Sequence, residues 1–187
     1  MHAGQKRDYK KTCIDVQYGC AMVAGRETGP SSETAPMNPY PYCICTSVSD
    51  KALEALLEVG GGGHFRDDHP WLVARDLWQD AAASSQHLPV MFAVGLPARF
   101  SHWAFIDRIA VVELHRATWE TDCGFSALEP VNPIWTPLDS VFLKPAEEQL
   151  KRERVEGIRQ HRYPLTDAEL HPYAICETPA FIFNAAR

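Results

Sequence analysis

The most β-rich stretch of the chain covers residues 88–119 and reads LPVMFAVGLPARFSHWAFIDRIAVVELHRATW. Residues 88–94 are apolar and predict a buried strand, and GLPARF predicts a turn. Residues 101–115 then predict one long strand, or two strands joined by a bend near Asp107. Regular alternation along this segment places on one face Trp103, Phe105, Ile109 and Val111. Because the other face is apolar too, we expect the strand to lie in the centre of a sheet or to close a barrel.

Two segments that precede this stretch carry helical patterns. The run YCICTSV predicts a strand, after which Ser49 can cap a helix that ends at Gly60. The run PWLVARDLWQDAAASSQ predicts a second helix that begins near Pro70, with Asp67 or Asp68 as its candidate cap. The intervening stretch VGGGGHFRDDHPWL is therefore predicted to be a hinge between two helices.

The remaining segments decide the predicted fold class. CIDVQYGCAMVAG, over 13–25, predicts a strand, and CGFSALEPVNPIWTPLDSVFL predicts short strands and turns. AEEQLKRERVEGIRQHR predicts a helix or helical loop, and YAICETPAFIF predicts a final strand. Since helices and strands do not alternate regularly, the chain is predicted to be α+β: a mixed, partly open β-barrel of about five to seven strands with about three flanking helices. We expect a single domain over 1–187, flexible at 1–12 and 26–41.

Charge and hydropathy exclude several classes of protein. The formal net charge of −6 argues against a protein that wraps long duplex DNA, because such binding depends on neutralising many phosphates. No apolar run approaches the roughly 20 residues that span a bilayer, so we expect no membrane association. The first residues lack the apolar centre of a secretory signal, which predicts a cytoplasmic protein whose six cysteines are reduced and mostly buried.

The glycine-rich stretch ends in a polar cluster of His64, Asp67, Asp68 and His69. The spacings of its histidines fit no common zinc pattern, and the glycines lack the Lys-Ser/Thr of a phosphate-binding loop, so we expect neither a metal nor a cofactor. An enzyme remains an alternative, with residues 60–69 as the active-site loop of a small hydrolase or transferase acting on a nucleotide or phosphorylated substrate. In that case His64 or His69 would be the acid or base, and Asp67 or Asp68 would orient it or hold a metal.

Aromatic residues near the long strand suggest a different function. Trp103 lies between His102 and Asp107, and Trp119 follows in a stretch predicted to be rich in loops. Aromatic faces combined with a few polar groups are what a protein needs to bind an unstacked base.

The block SHWAFIDRIAVVELHRATWETDCGFSAL, with the late segment HPYAICETPAFI, resembles the core of PUA-like domains of the EVE, ASCH and YTH types. The resemblance covers residues 88–183, and the first 87 residues have no counterpart in it. It implies a small α+β domain around a twisted barrel of five or six strands, many members of which bind RNA or modified bases in an aromatic pocket. It implies as candidate pocket residues Trp103, Asp107 and Trp119.

These observations predict a binding module for a nucleotide, a modified base or a short single-stranded nucleic acid. A base would stack on Trp103 and Trp119, while His102 and Asp107 would recognise base edges. Arg99 or Arg108 would lie near a phosphate. A third alternative is a protein partner that binds the prolines of residues 26–41.

Overall fold

The computed structural model describes residues 37–60 and 62–186, without the side chain of Val59. Within this part the chain forms eight strands and four α-helices. The strands are β1 (Tyr42–Ser47), β2 (Gly62–Asp67), β3 (Pro89–Val94), β4 (Arg99–His115), β5 (Thr118–Ala127), β6 (Glu129–Pro130), β7 (Thr136–Pro137) and β8 (Ala174–Glu177). The helices are α1 (Asp50–Val59), α2 (Leu72–Ala83), α3 (Glu147–Glu156) and α4 (Ala180–Ala185). The predicted strand at 13–25 and the predicted flexibility at 1–12 and over most of 26–41 lie outside the described residues.

The strands form one mixed sheet in the order β2-β5-β4-β3-β1-β8, and β6 and β7 also pair with β4. β1 and β3 are parallel, and the other pairs are antiparallel. The α+β class is confirmed. The sheet has two edges, β2 and β8, so it is not closed, which agrees broadly with a partly open barrel. The described residues contain more strands and helices than predicted, because β2 and α4 arise where a hinge and a continued strand were expected.

The long strand β4 is central to the sheet, but it does not keep a single alternation. Ile106 pairs with Phe125 whereas Arg108 pairs with Gly124, which leaves an extra residue, Asp107, on β4. Such a bulge transfers every following side chain to the opposite face. Ile109 therefore joins the core that contains Ile106, and not the core that contains Trp103. The predicted shared face of the four apolar residues is wrong beyond the bend.

Two cores lie on opposite faces of the sheet. The first, which we call the helix-side core, is covered by α1 and α2 and contains Phe65, Trp71, Phe92 and Phe125. The second, which we call the opposite core, lies under the segments that follow β5 and contains Phe100, Trp103, Leu165 and Ile182. Cys43, Cys45, Cys123 and Cys176 are buried and free. Burial raises the pKa of the Cys45 and Cys123 thiols, so these side chains pack as neutral groups.

The first helix begins and ends where the sequence predicts. The Ser49 hydroxyl accepts a hydrogen bond from the backbone N–H of Ala52 at 3.2 Å, and Gly60 adopts a φ of 66° at the C-terminal cap. The second helix begins at Leu72 without a side-chain cap. The predicted capping by Asp67 or Asp68 is therefore wrong. The Asp67 carboxylate instead binds within the loop that precedes the helix.

The central part of the predicted hinge, Gly62–Asp67, is a strand. β2 pairs antiparallel with β5, and its two glycines allow a close approach. A β-carbon on Gly62 would lie 2.6 Å from the carbonyl oxygen of Phe125, and one on Gly63 would lie 2.9 Å from the Leu56 side chain. Beyond the glycines, Phe65 and Asp67 point into the protein while His64 and Arg66 are more exposed. Alternation of buried and exposed residues and the glycine contacts with β5 thus favour a strand over a flexible loop.

The C-terminal segment differs in part from its sequence prediction. β8 ends at Glu177, and Pro179 precedes α4, so the predicted final strand is correct only for its first half. The predicted helix near residues 146–162 is confirmed as α3, which is followed by an irregular segment. None of the helices in the described ranges combines the length and apolarity needed to cross a membrane.

Candidate functional site

The carboxylate of Asp67, at the end of β2, is buried and held from several directions. Its side chain is 5% exposed. Oδ2 accepts a hydrogen bond from the indole Nε1–H of Trp71 at 2.9 Å, and Oδ1 accepts one from the backbone N–H of His69 at 2.9 Å. Because both oxygens have donors, burial of this charge is compensated and its orientation is set.

The imidazole of His69 is bound to this carboxylate. Its Nδ1 lies 2.7 Å from Asp67 Oδ1 and 3.0 Å from Oδ1 of Asp68. Since an ionised carboxylate only accepts hydrogen bonds, Nδ1 is the nitrogen that carries the proton in this arrangement. The side chain is 35% exposed, so the ring can be reached by a ligand or by water.

The backbone around this pair is anchored to β5. Thr121, which is fully buried, lies opposite Asp67 in the strand register. Its hydroxyl donates to the carbonyl oxygen of His69 at 2.6 Å and accepts from the backbone N–H of Trp71 at 3.2 Å. One side chain thereby satisfies two backbone groups and fixes the loop that carries the imidazole.

A second wall of the site comes from residues 171–173. The ring of His171 lies edge-on to that of His69, with centroids 4.9 Å apart. The ring of Tyr173 packs against Trp71 at 4.6 Å, and burial raises the pKa of its phenol, which therefore stays neutral. The segment is tied to β1 because the Thr46 hydroxyl donates to the carbonyl oxygen of Pro172 at 2.8 Å. Sequence reasoning missed His171 and Tyr173, since about 100 positions separate them from His69.

The same residues form a group close enough to hold a metal ion. One ligand atom each from Asp67, Asp68 and His69 can lie within 4.8 Å of the others. Oδ1 of Asp67 already accepts hydrogen bonds from the backbone N–H and from Nδ1 of His69, and Oδ2 accepts one from the Trp71 indole, which leaves one lone pair of Oδ2 for a metal. The geometry therefore suits an oriented histidine better than a metal centre.

His64 does not belong to this group. It lies on the other face of β2, where its Nδ1 is 3.4 Å from Oδ1 of Asp122. The second oxygen of Asp122 accepts a hydrogen bond from the Arg108 guanidinium at 2.9 Å. Of the four residues predicted as a possible catalytic loop, the structure brings together only Asp67, Asp68 and His69.

The two tryptophans predicted to stack a base lie far apart. Trp103 is 4% exposed and packs edge-on against Phe105, so it offers no free face. Trp119 lies in β5 rather than in a loop, and it pairs with Glu113, ten residues beyond Trp103 on β4. That separation is roughly 30 Å along a strand. A single pocket lined by both rings is therefore not formed.

Trp119 instead lies on the face of β5 that carries Thr121, the residue opposite Asp67. It precedes Thr121 by two residues on β5, so the two side chains share a face and lie roughly 7 Å apart along the strand. The indole is partly exposed. The structure thus places one sequence-predicted ligand residue on the side of the sheet where His69 is anchored.

The other predicted ligand residues are spread along β4. The side chain of His102 is partly buried, its Nδ1 has no hydrogen-bond partner within the described residues, and burial lowers its pKa. Asp107 is exposed at the bulge, and Arg108 pairs with Asp122. Arg99, at the start of the strand, donates to the carbonyl oxygen of Trp135 at 3.3 Å. These residues do not form a cluster around Trp103.

Comparisons with protein-family models, with curated proteins and with solved structures find no match to this chain. The resemblance to PUA-like domains therefore stays a prediction. We therefore infer a function from the chemistry of the residues that the fold brings together.

Proposed function

We propose that the protein is a small hydrolase or transferase whose acid–base group is His69. The observation that carries this proposal is the hydrogen bond of 2.7 Å between the imidazole Nδ1 and the buried carboxylate of Asp67. A carboxylate in this position selects one tautomer of the ring and stabilises the imidazolium that forms when Nε2 takes up a proton. Indole, backbone and hydroxyl donors hold the pair in place before any ligand binds.

In the proposed reaction, His69 Nε2 removes a proton from water or from a substrate hydroxyl as that oxygen attacks the phosphorus of the substrate. The bond from phosphorus to the leaving oxygen breaks, and the imidazolium returns its proton to that leaving oxygen. The Asp67 carboxylate compensates the positive charge on the ring. His171 lies beside the ring and narrows the directions from which a substrate can approach. Proton transfer by a positioned group of this kind contributes typically about 10²–10⁴ in rate.

A nucleotide, or another phosphorylated compound, is the substrate class that we propose for this site. Its support is the partly exposed indole of Trp119 on the same face of β5 as Thr121. Stacking on such a ring contributes about 1–3 kcal/mol per base.

The second candidate is a module that binds a nucleotide or short single-stranded nucleic acid without reacting with it. The partly exposed indole of Trp119 supports this function as much as it supports a nucleotide substrate. The two candidates differ only in what they require of His69. Binding requires Trp119, whereas catalysis also requires the imidazole of His69.

The test compares wild-type protein with His69→Gln and with the matched control His64→Gln on a panel of nucleoside mono-, di- and triphosphates and simple phosphate esters. His64 lies on β2, five residues before His69, and faces Asp122. We expect His69→Gln to lower kcat at least about 100-fold and His64→Gln to leave it within about twofold. Thermal shifts with the same compounds report binding separately from turnover.

Each outcome separates the candidates. Equal activity of wild type and His69→Gln contradicts the acid–base role. Stabilisation by a nucleotide that is lost in Trp119→Ala, without turnover by wild type, supports the binding module instead. A wild-type protein that neither binds nor converts any compound of the panel contradicts the proposed substrate class.

A further inference from the structure

The segment between β6 and β7 presents two apolar side chains to solvent. Ile134 and Trp135 are 48% and 49% exposed. Trp135 has a φ of 66°, in the left-handed region that an aromatic residue rarely adopts. A large apolar side chain held outward at a conformational cost is unusual for a residue whose only role is packing.

Hydrogen bonds from neighbouring residues hold the loop in this conformation. The Arg99 guanidinium donates to the carbonyl oxygen of Trp135 at 3.3 Å. The Thr136 hydroxyl, which is nearly buried, donates to the carbonyl oxygen of Pro133 at 2.5 Å. The outward position of the indole is therefore set by the loop itself and costs little further ordering when a ligand binds.

A shallow depression of about 320 Å³ lies beside this loop, and Arg99 borders both features. Its apolar lining includes Pro97, Pro137, Leu138 and Leu165. Asp139 and Asp167 supply its acidic groups. We call the depression together with Ile134 and Trp135 the Trp135 surface.

The charges of this surface indicate which ligand it fits. Two carboxylates and one guanidinium line the depression, and that guanidinium already donates to a backbone oxygen. The balance is negative, so it attracts a cationic group and repels a phosphate backbone.

We propose that the Trp135 surface binds an extended, proline-containing segment of a partner protein that carries Lys or Arg. A proline ring packs well on an exposed indole, and a polyproline helix loses little entropy on binding because its conformation is already restricted. The basic residue of the segment pairs with Asp139 and Asp167 at the edge of the depression. This surface is separate from the Asp67–His69 site, and the inference does not depend on the proposed chemistry.

The test uses isothermal titration of the full chain with a ten-residue peptide of alternating proline and alanine that ends in two arginines. We expect Trp135→Ala to weaken binding at least about tenfold, and Asp139→Asn with Asp167→Asn to weaken it at 150 mM salt. The matched control is Trp119→Ala, a partly exposed tryptophan at the far end of β4 and β5, which should bind as wild type. Replacing the two arginines of the peptide by alanine should remove the effect of the aspartate substitutions.

Three results would overturn the proposal. One is peptide affinity that is unchanged by Trp135→Ala in a variant whose melting temperature shows that it is folded. Another is the absence of peptide binding by wild type. The third is a Trp135-dependent interaction with a ten-nucleotide single-stranded RNA in place of the peptide, which would make the surface a nucleic-acid site.

Discussion

His69 and Asp67 are two residues apart in the chain, and their side chains meet at 2.7 Å because β2 ends between them. In a continued strand, residues i and i+2 would point in the same direction and stay roughly 7 Å apart. The chain turns after Asp67 instead, and the backbone N–H of His69 donates to the same carboxylate. The end of a strand thus creates an oriented histidine that strand geometry alone would not allow.

Replacing Asp67 by Asn should change the tautomer of His69. The amide has no charge, and its NH₂ group can donate to Nδ1, which favours the ring form protonated at Nε2. Nitrogen-15 chemical shifts of the imidazole measure this directly and need no substrate. We also expect a loss of about 1–3 kcal/mol in the free energy of unfolding, because a buried charge-assisted bond is removed. The control is Asp68→Asn, whose side chain is largely exposed; an equal shift there would show that Asp67 does not set the tautomer.

Replacing Gly62 by Ala should destabilise the edge of the sheet. The new methyl group would lie 2.6 Å from the backbone oxygen of Phe125, which cannot move without disturbing β5. Overpacking of this kind costs about 1–3 kcal/mol, measurable by urea unfolding. Gly124→Ala is the matched control on β5, because its nearest atom would be 3.8 Å away on Arg108. Equal stabilities for the two variants would mean that β2 is not held closely against β5.

The buried nitrogen of His102 should make stability fall as the pH decreases. Burial lowers the pKa of this ring below its ordinary value near 6.5, so the folded protein binds fewer protons than the unfolded chain. The contribution of neutral His102 to the free energy of unfolding is fully present above about pH 6.5, and it is lost as the pH falls toward the folded-state pKa of this ring. His102→Phe should flatten the dependence of the melting temperature on pH between about 6.5 and 5. The exposed residue His115 provides the control, and a profile for His102→Phe that matches wild type would contradict this assignment.

A second pH dependence comes from Glu153 on α3. Its hydrogen bonds with the Arg162 guanidinium lower the pKa of the carboxyl to about 2. The pair stabilises the folded state above the ordinary carboxyl range near 4.5, and that contribution is lost as the pH falls from there toward 2. We expect Glu153→Gln to reduce the pH dependence of the free energy of unfolding between about pH 4.5 and pH 2, measured by urea unfolding at a series of pH values. Glu148→Gln, an exposed residue on the same helix, should not, and an equal reduction in both variants would point to a general charge effect.

Local sequence patterns correctly predicted the features that depend on a single helix or strand. Ser49 and Gly60 bound α1 because capping depends on a few neighbouring backbone groups. The apolar run at 88–94 forms β3 because a strand with both faces apolar must be buried. The candidate catalytic group was predicted in part: Asp67, Asp68 and His69 meet, while His64 faces away.

Other predictions failed for reasons that lie in pairing between distant segments. The bulge at Asp107 moves Ile109 to the opposite face, and only the register with β5 reveals it. Part of the glycine-rich stretch forms a strand because it pairs with β5. The hydrogen bonds of that pairing restrict the backbone freedom that glycines would otherwise have.

The amino-acid sequence by itself determined the α+β class, the ends of α1, the buried strand β3 and three residues that meet in the candidate site, Asp67, Asp68 and His69. These features depend on periodicity, capping and side-chain chemistry, which act over a few residues. Only the tertiary structure decided that Thr121, His171 and Tyr173 surround the Asp67–His69 pair, that Trp103 is buried, and that Trp135 is exposed. Those relationships join residues tens of positions apart, and they exist because sheet pairing and core packing bring distant segments together.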